Sequence, residues 1–146
     1  LYLLCVLCVL RVSAPLRRKG FLVLQLAAIA GGGAVGALLR FWVSGWVYGL
    51  LGRGFPWGTL AVNVGGSLLM GFLYVMLVER LSLAPEWRAL LLVGFLGAFT
   101  TFSTFSLETL TLMEDGQLLR AVMNVLLSVV LCIGAAWAGM VLGRQL

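Results

Sequence analysis

The sequence predicts an all-α integral membrane protein with four transmembrane helices, and three observations carry that expectation. Hydrophobic residues fill 62% of the 146 positions and charged residues only 10%, whereas a soluble domain is about a quarter charged. Four windows stay apolar for the roughly 20 residues that a helix needs to cross hydrocarbon. The remaining charges fall mostly in the short connections, together with Pro56 and Pro85. Continuous apolar runs also exclude a transmembrane barrel, whose strands alternate in polarity.

The first window covers residues 21–43 and is uncharged as far as Leu39. Its Gly31-Gly32-Gly33-Ala34-Val35-Gly36 segment is no phosphate loop, since no lysine follows and it lies inside a span. Gly32 and Gly36 instead make a GxxxG, the spacing that lets two helix backbones approach closely. The second window, residues 60–78, carries Asn63 near its start. The third, residues 89–107, ends in Thr100, Thr101, Ser103, Thr104 and Ser106, interleaved with Phe102 and Phe105. The fourth, residues 121–143, places Asn124, Ser128 and Cys132 four residues apart, on one helix face.

Ahead of these windows, residues 1–20 read as an N-terminal extension, disordered or interfacial, and residues 21–146 as a single transmembrane channel domain. Residues 1–10 are apolar but too short to span. Cys5 and Cys8 form a C-x-x-C with no second ligand pair, and the chain has no histidine, so a zinc or redox site is not expected. Nucleophile–base pairs are equally lacking, and the chain is not expected to be an enzyme. No nucleic-acid partner is expected either.

Charge placement bears on topology. With four spans, the termini and the loop at residues 79–88 share one side, carrying Arg11, Arg17, Arg18, Lys19, Arg80, Arg88 and Arg144. Arg40, Arg53 and Arg120 belong to the other. The excess favours cytoplasmic termini. It comes from the N-terminal segment, and the rest of the chain is balanced.

Polar groups at membrane depth are functional candidates. An unpartnered hydroxyl in hydrocarbon is costly, so the run at residues 100–106 must face another helix, water or a passing solute. If the third helix breaks there, Gly94 and Gly97 supply flexibility and freed carbonyls can coordinate a cation. A small, strongly hydrated anion needs donors to replace its water. Asn63, the Ser103 and Thr104 hydroxyls and the electropositive ring edges of Phe102 and Phe105 are such groups. Glu108 is the acid nearest hydrocarbon depth. Arg40, toward the far end of the first window, can snorkel to water and attract anions to a mouth.

Three motifs together resemble the Fluc (CrcB-like) fluoride channel family. They are Gly-Gly-x-x-Gly-Ala-x-x-Arg40, Gly58-Thr59-Leu60-x-x-Asn63-x-x-Gly66, and Gly94-x-x-Gly97-x-x-Thr100-Thr101-Phe102-Ser103-Thr104-Phe105-Ser106. The resemblance covers residues 26–142. It implies four helices with the third broken near residues 100–104, an antiparallel dual-topology homodimer with two fluoride pores, and a structural sodium ion at the dimer interface. By the same resemblance, Asn63, Phe102, Phe105, Ser103, Thr104 and Glu108 belong to the pore, and Asn124 and Ser128 to a polar track. Cys132 then stands where a hydroxyl is expected. Arg40 falls at the vestibule, and the carbonyls of Gly97 and Thr100 on the sodium. The implied function is passive export of fluoride across the cell (inner) membrane, relieving fluoride toxicity. The alternative is a small four-helix proton-coupled exporter. That design wants a carboxylate deep in the first span, where Gln25 is the only hydrophilic residue before Arg40. A non-transporting scaffold, with polar residues that only glue helices, is a further alternative.

Overall fold

The computed structural model describes residues 19–146. The predicted extension, with Cys5, Cys8, Arg11, Arg17 and Arg18, lies almost entirely outside the described residues. Among those described, all regular structure is helical.

Helix α1, Lys19–Leu51, has 33 residues, about 50 Å at 1.5 Å per residue. It starts slightly before the predicted window and runs well past its predicted end. Phe41, Trp42 and Trp46 keep the segment apolar and lie exposed along it, as aromatic residues do near a membrane interface. Gly52, with φ of +77°, ends the helix in the left-handed conformation that glycine tolerates. Arg40 therefore sits within the body of α1 rather than at its end.

Helix α2, Trp57–Arg80, follows Pro56, and its last turns, Val75–Arg80, widen to π geometry. Helix α3 occupies residues 85–99, opening on Pro85 at its first turn and adopting π geometry over Ala89–Leu96. It stops at Phe99. Thr100 (φ −82°, ψ 157°) and Thr101 (φ −149°, ψ 114°) are extended, and helix α4, Phe102–Glu114, begins directly after them. Gly116, at φ +72°, turns the chain into α5, Leu118–Gln145.

The hydroxyl run makes this break. Thr100 Oγ1 donates to the Leu96 carbonyl at 3.0 Å, closing the end of α3. Thr101 Oγ1 accepts from the Thr104 backbone N–H at 3.3 Å, the bond of an N-cap threonine at the start of α4. Adjacent threonines thus satisfy groups on both sides of the interruption. The expected break in the third span is present at Thr100 and Thr101.

Small residues set the packing. A Cβ on Gly32 would strike the Leu90 carbonyl oxygen, and one on Gly36 that of Phe95, so α1 lies against the π segment of α3. The GxxxG expected from sequence is used in this contact. Gly71 and Gly139 bring α2 and α5 together in the same way, against Ala136 and Leu68 backbone oxygens. Leu77, Leu92 and Leu96 form the buried core between α2 and α3. At one end, Arg144 pairs with Glu79 at 3.3 Å. At the other, Arg120 donates to the Gly54 carbonyl at 3.2 Å. These contacts put the C-terminus and the 79–88 loop on one side, as the alternation of four spans requires.

Candidate functional site at the helix break

Asn63 on α2 faces the break and meets it with both ends of its amide. Its Nδ2 donates to the Thr101 carbonyl at 3.0 Å, and its Oδ1 accepts from the Thr101 N–H at 2.8 Å. An amide has one acceptor oxygen and two donor hydrogens, so it substitutes for the backbone partners that an extended residue loses. Gly66, one turn further on, permits the approach: a Cβ there would collide with the Thr100 methyl. Thr101 Oγ1 also donates to Thr104 Oγ1 at 2.9 Å and lies 3.4 Å from Ser103 Oγ. The structure thus brings Asn63, Ser103 and Thr104 together around Thr101.

A cavity of about 240 Å³ opens beside the break, lined by Arg40, Thr59, Thr101, Thr104 and Glu108 among others. Arg40 forms no ion pair among the described residues. It shares the cavity wall with the hydroxyls of Thr59, Thr101 and Thr104 and with the Glu108 carboxyl. Glu108 Oε1 accepts from the Tyr48 hydroxyl at 2.7 Å and from Thr59 Oγ1 at 2.9 Å. Its Oε2 is buried and has no hydrogen-bond partner among the described residues.

The remaining expected residues fall elsewhere. The Phe102 and Phe105 rings are tilted neighbours with centroids 5.4 Å apart. Phe102 is 74% exposed, while Phe105 is buried. Neither ring lines the cavity, nor does Asn63. Asn124, only 1% exposed, donates to Thr109 Oγ1 at 2.9 Å, which donates onward to the Phe105 carbonyl at 2.7 Å. Ser128 is buried one turn beyond. Cys132, still further along α5, is a free, half-buried thiol.

Gly97 and Thr100 occupy the last turn of α3 and the break itself. The extended ψ of Thr100 turns its carbonyl away from the helical direction. Among the described residues no three His, Cys, Asp or Glu side chains cluster. A cation here would rest on carbonyl and hydroxyl oxygens, donors that suit a hard monovalent ion.

Sequence reasoning missed the roles of Tyr48, Thr59 and Thr109, the partners that hold Glu108 and Asn124. One signal was available: Arg40, Ser44 and Tyr48 recur every fourth residue on α1, a polar stripe on an apolar helix.

Extended backbone at membrane depth survives only when protein or a water-filled cavity receives it, and here the Asn63 amide receives it beside a cavity. This defines a multi-pass membrane protein of the broken-helix class. A family model described as CrcB-like protein, Camphor Resistance (CrcB), matches residues 27–140. A Methylococcus capsulatus protein named fluoride-specific ion channel FluC is 68% identical over 123 residues, 84% of this chain and 54% of that protein. Proteins of the same name from Magnetococcus marinus and Coxiella burnetii are each 54% identical. The first alignment covers 83% of this chain and 98% of the relative, the second 79% and 94%. The chain spans about half the length of the Methylococcus relative and nearly all of the other two. It belongs to the CrcB-like family.

Proposed function

We propose that this chain is a fluoride-selective channel that lets fluoride leave the cell passively across the inner membrane, relieving fluoride toxicity. One observation carries the reading: an unpaired Arg40 and the hydroxyls of Thr59, Thr101 and Thr104 face one cavity beside a helix break held by Asn63. Hydroxyl donors and an arginine outside any ion pair suit an anion that must shed tightly held water, and the curated relatives bear the matching name. The alternative of proton-coupled export is less well supported, because the described part of α1 offers no carboxylate.

The working unit in this reading is an antiparallel dual-topology homodimer with two pores. Support comes from the balanced loop charges and from Phe102, whose ring stands exposed on a single subunit. A second copy in the opposite orientation gives Phe102 a place beside the partner's path and sets one Arg40 at each face. Phe102, Phe105, Ser103, Thr104, Glu108, Asn124 and Ser128 are the proposed pore residues with Asn63. A sodium ion on the Gly97 and Thr100 carbonyls of both subunits would add fixed positive potential in low dielectric.

Fluoride efflux from proteoliposomes, followed with an electrode and with equal pH on both sides, tests the proposal. Rapid fluoride release with far slower chloride release is expected. Fluoride release only when a proton gradient is imposed would transfer support to the exporter.

A further inference from the structure

We propose that Tyr48 is a positioning residue for the permeation route, holding the Glu108 carboxyl aside at the junction of two cavities. The inference rests on the channel reading above and adds a residue to it.

Besides the cavity at the break, a larger one of about 490 Å³ lies at the loop end, with Arg53, Arg120 and Asp115 in its wall. Tyr48 and Glu108 are the two residues that line both. An anion moving from the loop end to the break therefore passes a carboxylate. A negative charge on such a path obstructs it unless donors engage and orient that charge.

Tyr48 and Thr59 supply those donors to one oxygen, Glu108 Oε1, at 2.7 and 2.9 Å, and their own hydroxyls stand 3.3 Å apart. Three helices, α1, α2 and α4, thus converge on a single carboxyl oxygen. The Tyr48 ring is itself fixed. It lies over Gly58, where a Cβ would collide with the ring edge and with the Ser44 carbonyl oxygen. The Arg53 guanidinium carbon stands 6.0 Å from the ring centroid. With two bonds on Oε1 the carboxyl is held in one orientation. With the phenolic bond removed, Thr59 alone holds it and the carboxylate can swing into the junction.

Tyr48→Phe removes the hydroxyl and keeps the ring, so the packing on Gly58 is retained. Reconstituted Tyr48→Phe is expected to release fluoride about three- to tenfold more slowly than wild type. Infrared spectra of the same proteoliposomes give a readout that loose packing would not move. The carboxyl band that disappears in Glu108→Gln identifies this side chain, and in Tyr48→Phe it is expected to shift as the strong bond is lost. Wild-type efflux in Tyr48→Phe would overturn the proposal. So would slowed efflux with the Glu108 band unmoved, which would mean that Tyr48 acts by another route. A wild-type protein that passes no fluoride would defeat the channel reading instead, whatever the Glu108 band does.

Discussion

The Asn63 amide and the backbone N–H and C=O of Thr101 form a reciprocal pair, with bonds of 3.0 and 2.8 Å spanning α2 and the interrupted third span. Each supplies the partner that the other would lack in a membrane interior. An unsatisfied buried donor or acceptor costs about 1–3 kcal/mol. Asn63→Ala is expected to lower stability by about 2–4 kcal/mol, read as earlier thermal unfolding in detergent. Unfolding at the wild-type temperature would show that water replaces the amide without loss.

Arg40 carries a positive charge beside the break, and its role in the proposed channel is electrostatic. Arg40→Gln is expected to slow fluoride efflux several-fold at low ionic strength. The difference should narrow as salt rises and the Debye length falls to about 8 Å near 0.15 M. A deficit independent of salt would assign Arg40 a packing role.

Close backbone contact between α2 and α5 makes Gly71 and Gly139 intolerant of side chains. Each faces a backbone carbonyl that cannot move aside as a side-chain tip would. Gly139→Ala is expected to destabilise the protein by about 1–3 kcal/mol, whereas Gly134→Ala, with open space around it, should not. Equal unfolding temperatures for both variants would contradict the packing described.

Replacement of sodium by N-methylglucamine tests the proposed cation on the Gly97 and Thr100 carbonyls. Ligand removal destabilises whichever state binds it. A lower unfolding temperature, restored by sodium and not by potassium, is the expected result. Indifference to the cation would remove sodium from the account.

Much of the fold was legible in the sequence because membrane spans are written in single segments. Length and apolarity announced the four helices, and Gly32 and Gly36 announced a close contact. The position of the break was also local. Thr100 and Thr101 cap neighbouring helix ends with their own hydroxyls, so the cause lies within a few residues. The extent of α1 beyond residue 43 was hidden, because Arg40 looked like a terminus while the aromatic residues after it carried the helix onward. Pairings across helices were hidden for a different reason. Tyr48, Thr59 and Glu108 meet over separations of 11, 49 and 60 residues, and only the packing of three helices brings them together. Asn124 and Ser128 were visible as a face of α5, whereas Thr109, which accepts the Asn124 hydrogen bond, was one hydroxyl among many.

The central claim is that fluoride passes along the break which Asn63 holds. Fluoride efflux from proteoliposomes bearing Asn63→Asp, compared with wild type at equal protein density, tests it most directly. The substitution exchanges the amide for a carboxylate against the Thr101 carbonyl and adds negative charge beside the proposed anion path. Efflux is expected to fall at least about 100-fold, the equivalent of about 2.7 kcal/mol added to the barrier. Efflux at the wild-type rate from correctly folded Asn63→Asp would contradict the account.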